Sequence, residues 1–181
     1  MTLDTFKKKY FRKMPNDPRP APFCSDSSPD RDLSTLLYKA EYAQAGIVCA
    51  TPIFPYEAND SPPNVPTIAG APAELLVYKF VDNKLYEVTV FFHHGDFDQV
   101  MNAVKAKYGE PAKKDTRTYE NAFGAKFDGG VMIWSNAVSE ITVFERAGTV
   151  DDSLLIVSDK ELQKTANEHL KAKVKPRNLD E

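Results

Sequence analysis

The strongest pattern of apolar and polar positions in the chain predicts a β-hairpin. Residues 75–81 are apolar apart from one lysine, which is typical of a mostly buried strand. Residues 85–92 alternate, and their apolar face carries Tyr86, Val88, Val90 and Phe92. Asp82-Asn83, between the two runs, tolerates the left-handed backbone of a two-residue turn. The pattern therefore indicates two antiparallel strands with one packed face and one partly solvated face.

A helix is predicted directly after this hairpin. Asp96 is a favourable N-cap, and Gln99 follows three residues later as in a capping box. Apolar residues then recur at helical spacing, namely Phe97, Val100, Met101, Val104 and Tyr108. Gly109 suits the left-handed position after the last turn, and Pro111 prevents continuation. Because a hairpin alone is marginal in water, we expect this helix to cover its apolar face.

The rest of the chain extends this arrangement. Short apolar runs predict strands at 47–54, 121–127, 131–134, 141–144 and 154–157. Asp128-Gly129-Gly130 is a turn signal, and residues 112–120 are polar with few packing signals. A last helix begins with Ser158 as its N-cap. These elements predict an α+β fold, with a mainly antiparallel sheet of about five or six strands covered on one face by helices at 96–108 and 159–174.

Proline divides the chain. Eleven of the thirteen prolines precede residue 75. Residues 1–30 are therefore interpreted as a Pro-rich flexible arm, residues 31–175 as a single domain, and residues 176–181 as a C-terminal tail. Residues 33–40 have helical spacing, although the same letters also fit a strand. Residues 55–73 contain five prolines and predict a long loop, which is a candidate for partner binding.

Composition and charge narrow the class of protein. A net charge of −3 gives no electrostatic footprint for nucleic acid. No run approaches the roughly 18 apolar residues of a membrane span, so no transmembrane segment is predicted. The first residues lack the apolar core of a signal peptide. We therefore expect a periplasmic or secreted protein if a leader has been removed, and a cytoplasmic protein otherwise.

The chain has two cysteines, Cys24 and Cys49. Two are too few for a disulfide scaffold, but they could form one bridge that ties down the Pro-rich segment. Such a bridge would favour an oxidising compartment. The alternative is a pair of buried free thiols.

The densest group of possible metal ligands is the segment His93-His94-Gly95-Asp96-Phe97-Asp98. Imidazole and carboxylate suit zinc. Adjacent strand residues point to opposite faces, however, so His93 and His94 cannot easily reach one ion. A polar turn with Asp96 as the helix cap explains the segment without a metal. We therefore predict no cofactor, with zinc as the alternative.

Other catalytic motifs are absent from the sequence. It lacks G-x-S-x-G, the phosphate-loop pattern and G-x-G-x-x-G. Glu87, Thr89 and Phe91 fall on the predicted wet face of the hairpin, where an exposed apolar patch would indicate a partner surface. Aromatic residues at strand spacing, such as Trp134, are more often part of the core.

One set of residues resembles a pattern in small uncharacterised bacterial proteins that are often exported. The set comprises Phe80, Asp82, Lys84, Leu85, Val88, Phe91, Lys107, Tyr108, Gly109, Pro111, Trp134 and Ile141. The resemblance covers about residues 75–157 and its motifs are structural. It implies an α+β fold and a bacterial envelope location, and it implies no activity or catalytic residue.

These observations give three functional hypotheses. The missing catalytic motifs and the Pro-rich segments favour a non-catalytic binding or interaction module with a possible protein partner. The histidine pair gives a metal-dependent hydrolase that uses His93 or His94 with a distant carboxylate. A pocket between sheet and helices would instead make a small-molecule carrier.

Overall fold

Residues 1–10, 23–26, 45–52, 66–120, 123–147 and 149–173 are described by a computed structural model. They form the following elements: α1 (Leu3–Tyr10), β1 (Phe23–Cys24), β2 (Ile47–Pro52), β3 (Thr67–Ile68), β4 (Ala71–Pro72), β5 (Leu75–Val81), β6 (Lys84–His93), a 3₁₀ turn (His94–Asp96), α2 (Phe97–Tyr108), β7 (Lys113–Glu120), β8 (Lys126–Ser135), β9 (Ser139–Phe144), β10 (Asp152–Asp159) and α3 (Lys160–Lys173). No helix in these ranges is both long and apolar enough to cross a membrane.

One antiparallel sheet runs through most of these residues, in the order β1-β2-β5-β6-β10-β9-β8-β7. β1 has only two residues, so seven longer strands carry the sheet. The α+β class with a mainly antiparallel sheet is confirmed, whereas the predicted count of about five or six strands is too low. Strand β1 pairs only with Cys49 and Ala50 of β2. Pro52 lies two residues after this pairing, so its missing N–H removes no hydrogen bond between β1 and β2.

The predicted hairpin is confirmed. β5 and β6 pair along their length, and Asp82 and Asn83 both have positive φ angles, of 47° and 62°. Two successive left-handed residues give a turn whose twist matches that of the strands. A register shift between Lys79 and Phe80 marks a bulge near the turn.

The helix α2 packs against the centre of the sheet, and its capping differs from the prediction. Asp96 is the N-cap residue but makes no side-chain capping bond. Gln99 does not complete a capping box, because its Nε2 donates to Ala69 O at 2.8 Å. Gly109 follows the last turn with a positive φ of 78°, which glycine accepts readily, but its ψ of −163° is not the left-handed helical conformation that its position predicts. The main core cluster joins helix and sheet through Ala71, Phe92, Val100, Met101, Val104, Trp134, Val143 and Leu155.

The helix α3 packs against a different cluster near the hairpin. Its Ala166 is buried with Val81 and Tyr86. Ser158 is wrong as the N-cap, because it is a buried residue of β10. Asp159 has this role instead, and its Oδ1 accepts from Leu162 N at 3.0 Å. That α2 and α3 share one face of the sheet stays a prediction.

The first ten residues belong to the folded domain. Leu3 and Phe6 of α1 are buried, and the Phe6 ring lies 4.7 Å from that of Tyr78 and 5.3 Å from that of Phe80. The interpretation of residues 1–30 as a flexible arm is therefore wrong for residues 3–10, and also for residues 23–24, which form β1 and pair with β2. Residues 11–22 and 27–30, the possible helix at 33–40, most of the predicted loop at 55–73 and the tail at 176–181 lie outside the described residues.

One local prediction in the second half of the chain is wrong, and one strand was not predicted. Residues 113–120, for which the pattern predicts no element, form β7 although they are almost entirely polar. Gly129 and Gly130 lie inside β8 and not in a turn. A Cβ atom on Gly130 would lie 3.1 Å from Met132 Sδ and 3.2 Å from Glu145 Oε2, so glycine here allows close approach and not chain reversal.

Candidate functional site

A cleft opens beside the C-terminal end of α2. Its volume is about 300 Å³. The described residues that line it are Tyr108, Glu110, Ala112, Trp134, Ser135, Asn136, Ser139, Ile141 and Val157. Pockets that hold small organic molecules begin at about this volume.

The floor of the cleft is the end of a row of directly paired residues that runs across the sheet from β1 to β8. In sheet order the row is Cys24, Cys49, Tyr78, Val88, Val157, Ile141 and Trp134. Opposed residues of paired strands lie on the same face, so Val157, Ile141 and Trp134 share the face that α2 packs on. Although α2 extends as far as Tyr108, Val157 in this row remains 39% exposed, whereas Trp134 is buried.

The apolar walls are only partly shielded from water. Tyr108 is 50% exposed and Val157 is 39% exposed, whereas Trp134 is 6% exposed. Trp134 Nε1 donates to Gly109 O at 2.8 Å, which holds the end of α2 against the sheet and satisfies the polar atom of the indole. The indole therefore offers the cleft only apolar aromatic surface.

The rim of the cleft is polar. Asn136 Oδ1 accepts from Val138 N at 2.8 Å and from Ser139 N at 2.7 Å, and Asn136 O accepts from Lys160 Nζ at 2.7 Å. These bonds order the β8–β9 turn, so Ser139 is held at a defined position on the rim. An ordered polar rim around an apolar floor is the usual composition of a small-molecule site.

Glu110 is the charged group on this rim. Its carboxylate accepts from Lys114 Nζ at 3.0 Å, and Lys105 Nζ lies 3.9 Å away. The hydrogen bond from Lys114, followed by the charges of the two lysines, lowers the pKa of the Glu110 carboxyl below its usual value. The rim therefore carries an ionised carboxylate at neutral pH.

The two predicted metal ligands do not line the cleft: His93 is the last residue of β6 and His94 the first residue of the 3₁₀ turn, and they make separate contacts. His93 Nδ1 accepts from Gly95 N at 3.0 Å. His94 Nδ1 lies 3.0 Å from Glu145 O, to which it donates, and its ring stacks on Phe97 with centroids 6.0 Å apart. Within the described ranges, no group of three or more His, Cys, Asp or Glu side chains is arranged to hold a metal ion.

The predicted partner surface is not an exposed face. Glu87 and Thr89 are buried, and Phe91 is half-buried. Glu87 Oε1 accepts from Thr89 Oγ1 at 3.1 Å and lies 2.6 Å from Lys79 Nζ. The polar residues of this face therefore form an internal network, because an ionised carboxylate that leaves water needs a charged partner.

Cys24 and Cys49 form a disulfide. They are direct partners across β1 and β2, and both are buried beside Leu3 and Phe6 of α1. The bridge attaches the short β1 strand to the sheet, as its predicted role in tying down the segment requires.

The sequence pattern does not predict the cleft. It places Trp134 and Ile141 in core strands, and Tyr108 in the apolar stripe of α2. One signal in the sequence is the position of Tyr108 at the C-terminal end of the apolar stripe, directly before Gly109. An apolar residue in the last turn of a helix is less completely covered than one in the middle. Comparison with protein-family models, with curated proteins and with solved structures finds no match.

Proposed function

We propose that this domain is a non-catalytic binding module whose ligand occupies the cleft beside Trp134. The observation that carries the proposal is the apolar floor of Trp134, Ile141 and Val157, beside an ordered polar rim; Trp134 is buried, and Val157 is 39% exposed. Such a site fits a small amphipathic organic molecule, with its apolar part on the floor and its polar part at the rim. This ligand class corresponds to the small-molecule carrier among our hypotheses.

The chemistry of the lining supports binding and not catalysis. Among the described residues that line the cleft, none is histidine or cysteine. Glu110 is engaged by Lys114, and the pKa of its carboxyl is lowered, which makes it a weak base. Neither histidine contact described above favours the metal-dependent hydrolase.

A location in an oxidising compartment, such as the bacterial envelope, is part of the same proposal. The Cys24–Cys49 disulfide supports it, because such bonds persist mainly outside the cytosol. The resemblance over residues 75–157 agrees with this location.

The proposal is tested by adding small aromatic and alicyclic alcohols and amides to isotope-labelled protein and recording amide chemical shifts. We expect the shifts to cluster at Trp134, Ser139 and Ile141. Val157→Lys places a charge on the floor and should weaken binding about tenfold or more. Val138→Lys is the matched control, since Val138 is 64% exposed and does not line the cleft.

Shifts that cluster elsewhere, or equal binding by the two variants, would contradict the assignment. A third outcome is that none of these molecules binds, while a protein partner changes the amide chemical shifts of the cleft floor. In that case the ligand is an apolar side chain of the partner and not a small molecule.

A further inference from the structure

The strand β7 forms one edge of the sheet. Among the described strands only β8 pairs with it, and seven of its eight residues are exposed. An edge strand presents a row of backbone N–H and C=O groups that can pair with another strand. At eight residues, β7 is longer than edge strands that avoid pairing by being short.

Contacts on the neighbouring strand show which β7 groups face outwards. Gly130, the partner of Thr116, uses its backbone for Glu145: Gly130 N donates to Glu145 Oε2, and Glu145 N donates to Gly130 O, both at 2.8 Å. In an antiparallel sheet, the backbone N–H and C=O of one residue point to the same side. Those of Gly130 point to Glu145, so Gly130 and Thr116 are not hydrogen-bonded to each other. The backbone N–H and C=O of Thr116 therefore point away from β8. In agreement, Thr116 N donates to the Asp115 side chain at 2.9 Å.

The side chains of Asp115 and Arg117 lie on one face of this edge. Asp115 is opposite Val131, which is opposite Phe144, and the Arg117 guanidinium lies 5.1 Å from the centroid of the Phe144 ring. This contact holds the Arg117 cation close to the sheet, two residues from a carboxylate on the same face.

We propose that a second copy of this chain pairs with β7, antiparallel and with the two-fold axis beside Thr116. Directly opposed strand residues lie on the same face, so the axis must pass beside a residue and not between two residues. With the axis at Thr116, Asp115 of each copy is opposite Arg117 of the other. Lys113 is then opposite Tyr119, and Lys114 is opposite Thr118.

The charges favour this register over its neighbours. An axis at Arg117 places two arginines opposite each other, and an axis at Asp115 opposes two aspartates. Directly opposed like charges destabilise a strand pair, whereas opposite charges stabilise it. Charged residues on an edge strand, lysines in particular, oppose pairing in arbitrary registers. The charges of β7 therefore disfavour most registers and favour the one with its axis at Thr116.

The outward groups fit this register as well. Lys114 and Thr118 are each two residues from Thr116 in β7. Their backbone N–H and C=O groups therefore also point away from β8. The three facing pairs that they form would exchange about six ladder hydrogen bonds. Ala112, which lines the cleft, would lie opposite Glu120 of the second copy, so each copy would add a carboxylate near the rim of the other's cleft.

The first test measures self-association by sedimentation equilibrium from about 5 µM to 1 mM, since an interface of this limited size binds in about the micromolar range. Thr116→Pro removes the outward N–H at the axis, and an edge strand tolerates proline at such a position. Thr116→Ala keeps the N–H and is the control. We expect a dimer for the parent chain and for Thr116→Ala, and a monomer for Thr116→Pro.

The second test concerns register. Asp115→Arg and Arg117→Asp should each weaken self-association about tenfold, because each opposes like charges at both pairs. A mixture of the two variants should associate again, since every opposed pair is then of opposite charge. Circular dichroism of each variant checks that the monomer remains folded.

A parent chain that stays monomeric at about 1 mM overturns the proposal. A dimer that Thr116→Pro leaves intact also overturns it, because the interface is then elsewhere. A mixture of the charge variants that fails to associate refutes the register at Thr116. None of these results depends on whether the cleft binds a ligand.

Discussion

Removal of Lys79 provides a direct test of the internal polar network on the hairpin. The Lys79 side chain is 12% exposed and that of Glu87 is 7% exposed, with Nζ and Oε1 2.6 Å apart. Lys79→Met keeps the length of the side chain and leaves the Glu87 carboxylate with the Thr89 hydroxyl as a neutral partner. Breaking one half of a buried ion pair reduces the free energy of unfolding by about 3–5 kcal/mol.

The double variant separates the ion pair from simple loss of packing. Glu87→Gln is nearly isosteric and retains an oxygen that accepts from Thr89. Combined with Lys79→Met it removes both charges, so the loss should fall to about 1–2 kcal/mol, the cost of an imperfectly paired amide. The difference between this value and the sum of the two single-variant losses is the coupling energy of the pair.

Urea denaturation with linear extrapolation provides the free energies, and an unchanged slope shows that the variants unfold the same surface. Lys114→Met is the matched control, because its partner Glu110 is an exposed residue at a similar distance of 3.0 Å. That variant should leave the free energy of unfolding nearly unchanged. A loss below about 1 kcal/mol for Lys79→Met would refute the reasoning, since it would mean that the pair is solvated.

Two further predictions concern stability. Replacement of Cys24 and Cys49 by serine should lower the free energy of unfolding by about 3–4 kcal/mol, as expected for a loop closed across 25 positions; an equal loss on reducing the parent chain confirms it, and no loss contradicts it. Desolvation, followed by the charge of Asp152, raises the pKa of Glu74. The folded state therefore holds this proton more tightly than the unfolded state, and stability falls as pH rises through the folded pKa. Glu74→Gln should raise the melting temperature at about pH 7 more than at about pH 3, and the opposite order would contradict the assignment.

The elements that the sequence predicted well are those with local causes. The hairpin follows from alternation in β6 and from two residues that accept positive φ. The end of α2 follows from Gly109. In each case the residues that specify the geometry are adjacent in the chain, so a short window contains the necessary information.

The elements that were missed depend on distant partners. The strand β7 has almost no apolar residues, and it is a strand because β8 pairs with it along its whole length. The helix α1 has a short apolar stripe that begins with Leu3 and Phe6 and is interrupted by three lysines, and Phe6 contacts β5. Pairing and docking of this kind leave little trace in a local pattern.

The exposure of the candidate residues could not be predicted for a related reason. Alternation shows which residues share a face of a strand but not what covers that face, so it predicts a solvated face for Glu87, which is buried. The cleft depends on where α2 ends relative to β9 and β10, which is a property of packing. The sequence supplied the residue types of the site but not their exposure.

The position of Trp134 gives this protein an intrinsic optical probe. It is the only tryptophan in the chain, and it contacts the cleft, the end of α2 and the main core at once. Its emission in the folded protein should be that of a shielded indole, shifting to longer wavelength on unfolding because the ring then enters water. A ligand on the cleft floor should change the emission without that shift. Fluorescence of the unmodified chain can therefore distinguish occupation of the cleft from loss of the fold.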